Sequence, residues 1–192
     1  MRDALKSCFR SIATGLVVRR LVVFWAAMRL VGPDRALEGA TESLARLPGV
    51  RGEYLRNAFL RHAIRRCDAT ATICYGCIFS KAGAIIEELV YVGPRCHLGL
   101  VHLERDVLLA AGVHIPSGGH LHGTDDPDTP IREQEGKATR VRIGAGTWVG
   151  SGAIVLADVG ANCVIGAGSV VTKPIPDGTV AAGSPARVIR QR

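Results

Sequence analysis

Aromatic residues are scarce in this 192-residue chain, at 5%. A core of stacked rings is therefore excluded, although 47% hydrophobic against 21% charged residues is a balance that folds. Long apolar runs free of charge are missing too. The stretch from Ile12 to Val31 comes nearest, and Arg19, Arg20 and Arg29 interrupt it. An arginine at the centre of a span costs about 2.5–3.5 kcal/mol, so no transmembrane helix is expected there. A secretory leader is not expected either, because Leu21 to Met28 runs into Arg29 without a small-residue cleavage site. Among the six cysteines, Cys8, Cys67, Cys74, Cys77, Cys96 and Cys163, one C-x-x-C occurs and no second. That removes a four-thiolate zinc site and leaves buried thiols in a reducing cytoplasm as the expectation, with no metal centre. Net charge is absent from the last two thirds: residues 69–192 balance, and the whole excess of +7 lies in residues 1–68. With no interleaved aromatics and no recognisable module, this basic segment does not read as a nucleic-acid binder. It suits an anionic membrane surface.

The length allows one compact domain with an appended segment, and the pattern divides it into a helical part, 1–68, and a repetitive part, 69–192. Gly32-Pro33-Asp34 ends the first helix, Leu37 to Leu47 forms a second, and Pro48 to Gly52 breaks again. In the third helix Leu55, Phe59 and Ala63 recur every four residues, which leaves Arg56, Arg61, Arg65 and Arg66 as a solvated basic face. At 100° per residue Arg10, Arg19, Arg20 and Arg29 scatter around the first helix. Two uses stand open for it: lying in the lipid headgroup zone with its arginines snorkelling, or packing on the body or on a neighbouring subunit.

Beyond Cys67 the period changes. Stepping by six from Ile73 meets Phe79, Ile85, Tyr91, His97, Leu103, Leu109 and Ile115, and the phase resumes at Ile143, Val149 and Val155. Six-residue recurrence suits neither a lone strand nor a helix. It suits short strands joined by tight turns, three to a coil, with apolar residues inward and coils stacked about 4.8 Å apart, which is a parallel β-helix. The 23 glycines then serve crowded corners. Residues 116–142 leave this regular path as a polar loop, of the kind that is usually functional or disordered. Val155 to Val159 shortens one coil by two residues.

Four segments are diagnostic: Val113-His114-Ile115-Pro116-Ser117-Gly118-Gly119-His120, Val141-Arg142-Ile143-Gly144 through Trp148-Val149-Gly150-Ser151, Ile165-Gly166-Ala167-Gly168-Ser169-Val170-Val171-Thr172-Lys173, and Val180-Ala181-Ala182-Gly183-Ser184-Pro185-Ala186-Arg187-Val188-Ile189-Arg190. Together they resemble the hexapeptide-repeat acyltransferases, in the branch of maltose, galactoside and polysaccharide O-acetyltransferases. The resemblance implies a mainly β chain, a left-handed parallel β-helix with an N-terminal α-helical segment, working as a homotrimer with sites between parallel prisms. It implies acetyl-CoA as donor and His120 as general base. Ser151 and Ala167 would lie along the pantetheine arm, Thr172 and Lys173 would close its path, and Arg187 and Arg190 would meet the nucleotide phosphates. The long helical first third departs from the short N-terminus of the maltose and galactoside enzymes. The chain therefore looks more like the exopolysaccharide and lipopolysaccharide acetyltransferases, acting on a saccharide intermediate in the cytoplasm or at the inner face of the membrane.

The chemistry fits those residue types. Acyl transfer to a hydroxyl needs a proton acceptor near neutral pH, and imidazole supplies one. His122 and Asp126, with Asp125 and Asp128, share the loop with His120, where they either bind a sugar hydroxyl or orient the imidazole, or are solvated loop charge. A competing reading is a zinc lyase like the β-helix carbonic anhydrases, for which His97 and His102 supply two ligands and a third is missing. A non-catalytic β-helix scaffold is the other.

Overall fold

The computed structural model describes residues 2–192, with side chains from Cys8 onward. Three helices, α1 (Arg2–Val31), α2 (Pro33–Ala45) and α3 (Gly49–Ala63), precede a prism of short strands. Gly32, at φ +83°, makes the turn between α1 and α2, and Pro33 opens α2. Face A of the prism holds β1 (Arg66–Cys67), β4 (Ile85–Ile86), β7 (Val101–Leu103) and β10 (Val141–Ile143), continued by single bridges through Val159 and Ile175. Face B holds β2 (Thr72–Ile73), β5 (Tyr91–Val92), β8 (Leu108–Leu109), β11 (Trp148–Val149), β13 (Val164–Ile165) and β15 (Thr179–Gly183). Face C holds β3 (Ile78–Phe79), β6 (His97–Leu98), β9 (His114–Ile115), β12 (Ile154–Val155) and β14 (Val170–Val171). Neighbouring strands within each face are parallel, and β16 (Ala186–Gln191) folds back antiparallel on β15.

The inward column is aliphatic and dry: Ile73, Ile86, Leu98, Leu109, Ile143 and Val155 are all fully buried. Its spacing is strict at two corners of the prism. From face A to B (Ile86 to Val92, Ile143 to Val149) and from B to C (Val92 to Leu98, Val149 to Val155) the step is six residues in every coil. All the variation falls at the C-to-A corner. There the step is seven from Phe79 to Ile86, five from Leu98 to Leu103, 28 from Ile115 to Ile143, and four from both Val155 to Val159 and Val171 to Ile175.

Two expectations are corrected by this corner. Ile85, Tyr91 and His97 do not point inward; Ile86, Val92 and Leu98 do. The extra residue between Phe79 and Ile86 shifts the phase by one, and a shift of one turns every side chain to the other face. The five-residue step from Leu98 to Leu103 restores it. The shortening is also found in two successive coils, at Val155 and again at Val171.

The open end of a β-helix presents unpaired strand edges, which invite association. Here α2 and α3 occupy that end. The Thr41 hydroxyl accepts from the Phe79 N–H (3.2 Å), Asn57 Nδ2 donates to the carbonyls of Asp68 and Ala71 (2.9 Å each), and Arg56 Nε donates to the Ile73 carbonyl (2.9 Å). Arg56 is thus no part of a solvated face, being 2% exposed. Its Nη1 donates to Leu44 and Leu47 carbonyls at the end of α2, where the helix dipole favours a cation, while burial lowers its pKa. Lys81 and Asp34 pair at 2.8 Å to tie α2 to the first coil. α1 packs on α2 and α3, with Phe24 edge-on to Phe59 at 5.3 Å between ring centres. Five cysteines are buried, and burial pushes the Cys67 thiol up to about 12; Cys8 alone is exposed, against the expectation.

The register supplies a test with adjacent, identical residues. Ile86→Ala removes a fully buried side chain and is expected to cost about 2–5 kcal/mol. Ile85→Ala, on the outer face, should cost less than about 1 kcal/mol. Urea unfolding of the two variants distinguishes them, and equal losses would contradict the register.

Candidate functional site

The loop at the C-to-A corner is an ordered projection with a braced root. Ser117, buried, accepts the Leu100 N–H on its hydroxyl (2.9 Å) and the Thr139 N–H on its carbonyl (2.8 Å). Gly99 must lack a side chain because a Cβ there would meet Ser117 Oγ at 2.6 Å. One step further out the Lys137 N–H donates to the His120 carbonyl (2.7 Å), so the two arms of the loop form a stem. Gly136 permits this approach, since a Cβ on it would collide with the Leu121 carbonyl. His120 therefore has a fixed backbone, while its imidazole is exposed and makes no hydrogen bond among the described residues.

The tip is organised by Asp126. Its carboxylate accepts from the Asp128 N–H (2.9 Å) and the Thr129 hydroxyl (2.6 Å), and Gln134 Nε2 bridges the carbonyls of Asp126 and Thr129 (2.7 Å each). The Thr129 hydroxyl bond, with the Asp128 N–H, holds the Asp126 carboxyl below its ordinary pKa. In this arrangement the Asp126 carboxylate shapes the loop. The Asp-Pro-Asp-Thr run at 126–129 carries the signal of an Asx turn and was the available clue. His122 is exposed on the same arm as His120.

The remaining candidate residues fall into three groups. Thr172 and Lys173 follow β14 at the C-to-A corner, the same edge of the prism from which the His120 loop leaves, and there the coils are shortened. Ser151 and Ala167 sit one above the other at the B-to-C corner, joined by the Gly168 N–H to the Ser151 carbonyl (2.8 Å). A column of small residues runs along this second edge. Gly150 keeps it narrow, because a Cβ there would meet the Ala167 backbone nitrogen at 2.5 Å. Face C lies between the two edges. Arg187 and Arg190 are on β16 beside face B, exposed, opposite Ala182 and Val180. One chain thus brings His120, Thr172 and Lys173 to one edge and holds Ser151 and Ala167 on another.

The histidines of the lyase reading are separated. His97 lies on face C, stacked on His114 at 4.8 Å, and the neighbour and partial burial lower the His114 pKa, with burial the larger cause. His102 lies on face A and pairs with Glu87 at 2.9 Å. No group of three His, Cys, Asp or Glu side chains among the described residues is placed to hold a metal.

Because the Asp126 carboxylate accepts two of the bonds that fold the tip, Asp126→Ala should loosen residues 124–134 without unfolding the prism. Amide exchange in that segment is expected to rise while the thermal midpoint stays unchanged. The wild-type tip should loosen in the same way as pH falls through the depressed Asp126 pKa, since protonation removes an acceptor that is present above it. Unaltered exchange in Asp126→Ala would show the tip to be held by Gln134 alone.

Residues 140–173 match the family model for the bacterial transferase hexapeptide (six repeats). The chain is 54% identical to a galactoside O-acetyltransferase of Lactococcus lactis over a stretch covering 59% of this chain and 64% of the relative. It is 31% identical to a putative lipopolysaccharide biosynthesis O-acetyl transferase of Escherichia coli, covering 60% and 61%. The crystal structure of a maltose O-acetyltransferase from Clostridium difficile superposes with a TM-score of 0.61 at 25% identity, covering 82% of this chain and 87% of that one. The chain spans 24%, 45% and 61% of the length of the first three curated relatives it matches. Repeat, coil geometry and relatives agree: the chain is a β-helix that carries the hexapeptide repeat, and it is similar to sugar O-acetyltransferases.

Proposed function

We propose that the protein transfers an acetyl group from acetyl-CoA to a hydroxyl of a sugar or saccharide intermediate, with His120 as the general base. The observation that carries this reading is the C-to-A edge. It combines an exposed imidazole on a rigid stem with an adjoining threonine and lysine, where every other corner of the prism keeps a strict six-residue step. Neutral His120 takes the acceptor's hydroxyl proton as the oxygen attacks the thioester carbonyl. The resulting imidazolium then gives that proton to the departing coenzyme A thiolate, which leaves acetyl ester and free thiol. Lys173 supplies positive charge beside the donor. The likeness to galactoside, maltose and lipopolysaccharide O-acetyltransferases supports the reaction class and a saccharide acceptor, with a role in surface polysaccharide assembly. Five buried, unpaired thiols suit a reducing cytoplasm.

The split of candidate donor residues over two edges supports a homotrimer. A ligand between parallel prisms meets His120 and Lys173 of one copy and Ser151 and Ala167 of the next. Face B adjoins the second edge and exposes a column of Tyr91, Leu108 and Trp148, in register on neighbouring strands, an apolar strip suited to burial by another copy.

Two measurements test this. His120→Ala should lower kcat by about 10²- to 10⁴-fold with the KM for acetyl-CoA nearly unchanged, whereas Lys173→Ala should raise that KM with a smaller effect on kcat. Near-wild-type turnover by folded His120→Ala would remove the base assignment. Separately, inactive His120→Ala and inactive Ala167→Trp chains, expressed together, should regain activity, because roughly a quarter of junctions in a random trimer then join two intact halves. No recovery in verified mixed trimers would place the whole site within one chain.

A further inference from the structure

Among the described residues, α1 leaves one face without a partner in the chain. Ala13, Val17, Leu21 and Phe24 are buried against α2 and α3. The opposite side exposes Ile12, Leu16, Val22, Val23 and Leu30, the last 84% exposed, with Trp25 at the edge of the face. A helix that covers a prism end needs one apolar face, and α1 has apolar residues on both. Beyond Asp3 its charges are all positive. From Ala4 to Val31 there is no acidic residue, and Arg19, Arg20 and Arg29, all exposed, stand among or beside the outer apolar residues. This helix also belongs to the segment that carries the entire net positive charge.

We infer that the outer face of α1 binds an anionic lipid bilayer, lying in the plane of the interface. The apolar side chains enter the acyl boundary, Trp25 sits at the headgroup level, and the arginine stems lie along the surface with their guanidinium groups on lipid phosphates. A spanning orientation is disfavoured by the same structure, because Ala13, Val17, Leu21 and Phe24 are committed to α2 and α3 and arginines occupy the middle of the helix. A second copy of this chain is a poorer occupant, since pairing two such faces would bring Arg19, Arg20 and Arg29 against their own like charges without a carboxylate between them. Bilayer docking rests on α1 alone and is independent of the acetyl transfer proposed above; it sets where that site works, next to acceptors carried on lipid.

The test is flotation of the full chain with vesicles of phosphatidylcholine alone or with 30% phosphatidylglycerol. Binding is expected to the anionic vesicles at low salt, weakened at least tenfold in 0.5 M salt and in phosphatidylcholine alone. Val22→Glu with Leu30→Glu, and separately Arg19→Glu with Arg29→Glu, should each lower binding at least tenfold. Neither pair should change the oligomeric state or the turnover of a soluble sugar acceptor. Protein that stays unbound on anionic vesicles overturns the inference. So does a change of oligomeric state on Val22→Glu with Leu30→Glu, which would assign the face to another copy of the chain. Failure of acetyl transfer with flotation intact would count against the enzymatic reading only.

Discussion

The inward aliphatic column governs this molecule. A coil of three short strands can close only if an apolar residue turns inward at each face, so two of the three corners are held to a six-residue step in every coil. Freedom is confined to the corner between face C and face A. That corner takes up an extra residue, then loses one, then admits a loop of more than twenty residues, and then runs short in two coils. Such concentration has a mechanical reading. A prism that is rigid on two edges can vary a third without moving its core, so a stem like that of His120 can be inserted there and braced by Ser117 without disturbing the column beneath. Rigid elements that carry an exposed loop are a common way of placing reactive groups.

The helical segment follows from the other requirement of a β-helix, that its ends be closed. Thr41, Arg56 and Asn57 satisfy backbone groups of the first coil one by one. This explains why a guanidinium is buried without a carboxylate partner: its hydrogen bonds go to carbonyls at a strand edge and at the end of α2. At the far end β16 covers β15. Capping occupies α2 and α3 and only the inner face of α1, so the outer face of α1 is surplus to the fold and is available for another partner.

Periodicity makes the fold readable from the sequence, because the repeat is a direct imprint of the core. Its phase was less readable. Ile85, Tyr91 and His97 are apolar or amphipathic and lie one position before residues that are equally apolar, so composition could not choose between Ile85 and Ile86; the turn between Phe79 and Ile86 decided it. The burial of Arg56 is hidden from the sequence for a related reason. Helical spacing put it beside the apolar stripe, and nothing local in the sequence indicates that the adjoining surface is a strand edge in need of donors. The loop's extent was legible as a gap in the repeat, whereas the task of Asp126 depended on Thr129 and Gln134 folding back to it.

The separation of the candidate residues adds a constraint that the sequence could not express. Residues 151, 167, 172 and 173 are near neighbours in the chain, yet a B-to-C corner and a C-to-A corner face away from each other across face C. For a single prism, a ligand touching both edges would have to cross the whole of that face, over His114 and Ile154. In the proposed trimer each copy would offer one edge to its neighbour, and the same residues would meet between two parallel prisms. On that proposal activity depends on assembly. A chain that folds but cannot trimerise would then keep its stem, its imidazole and its column of small residues and would lack a complete site.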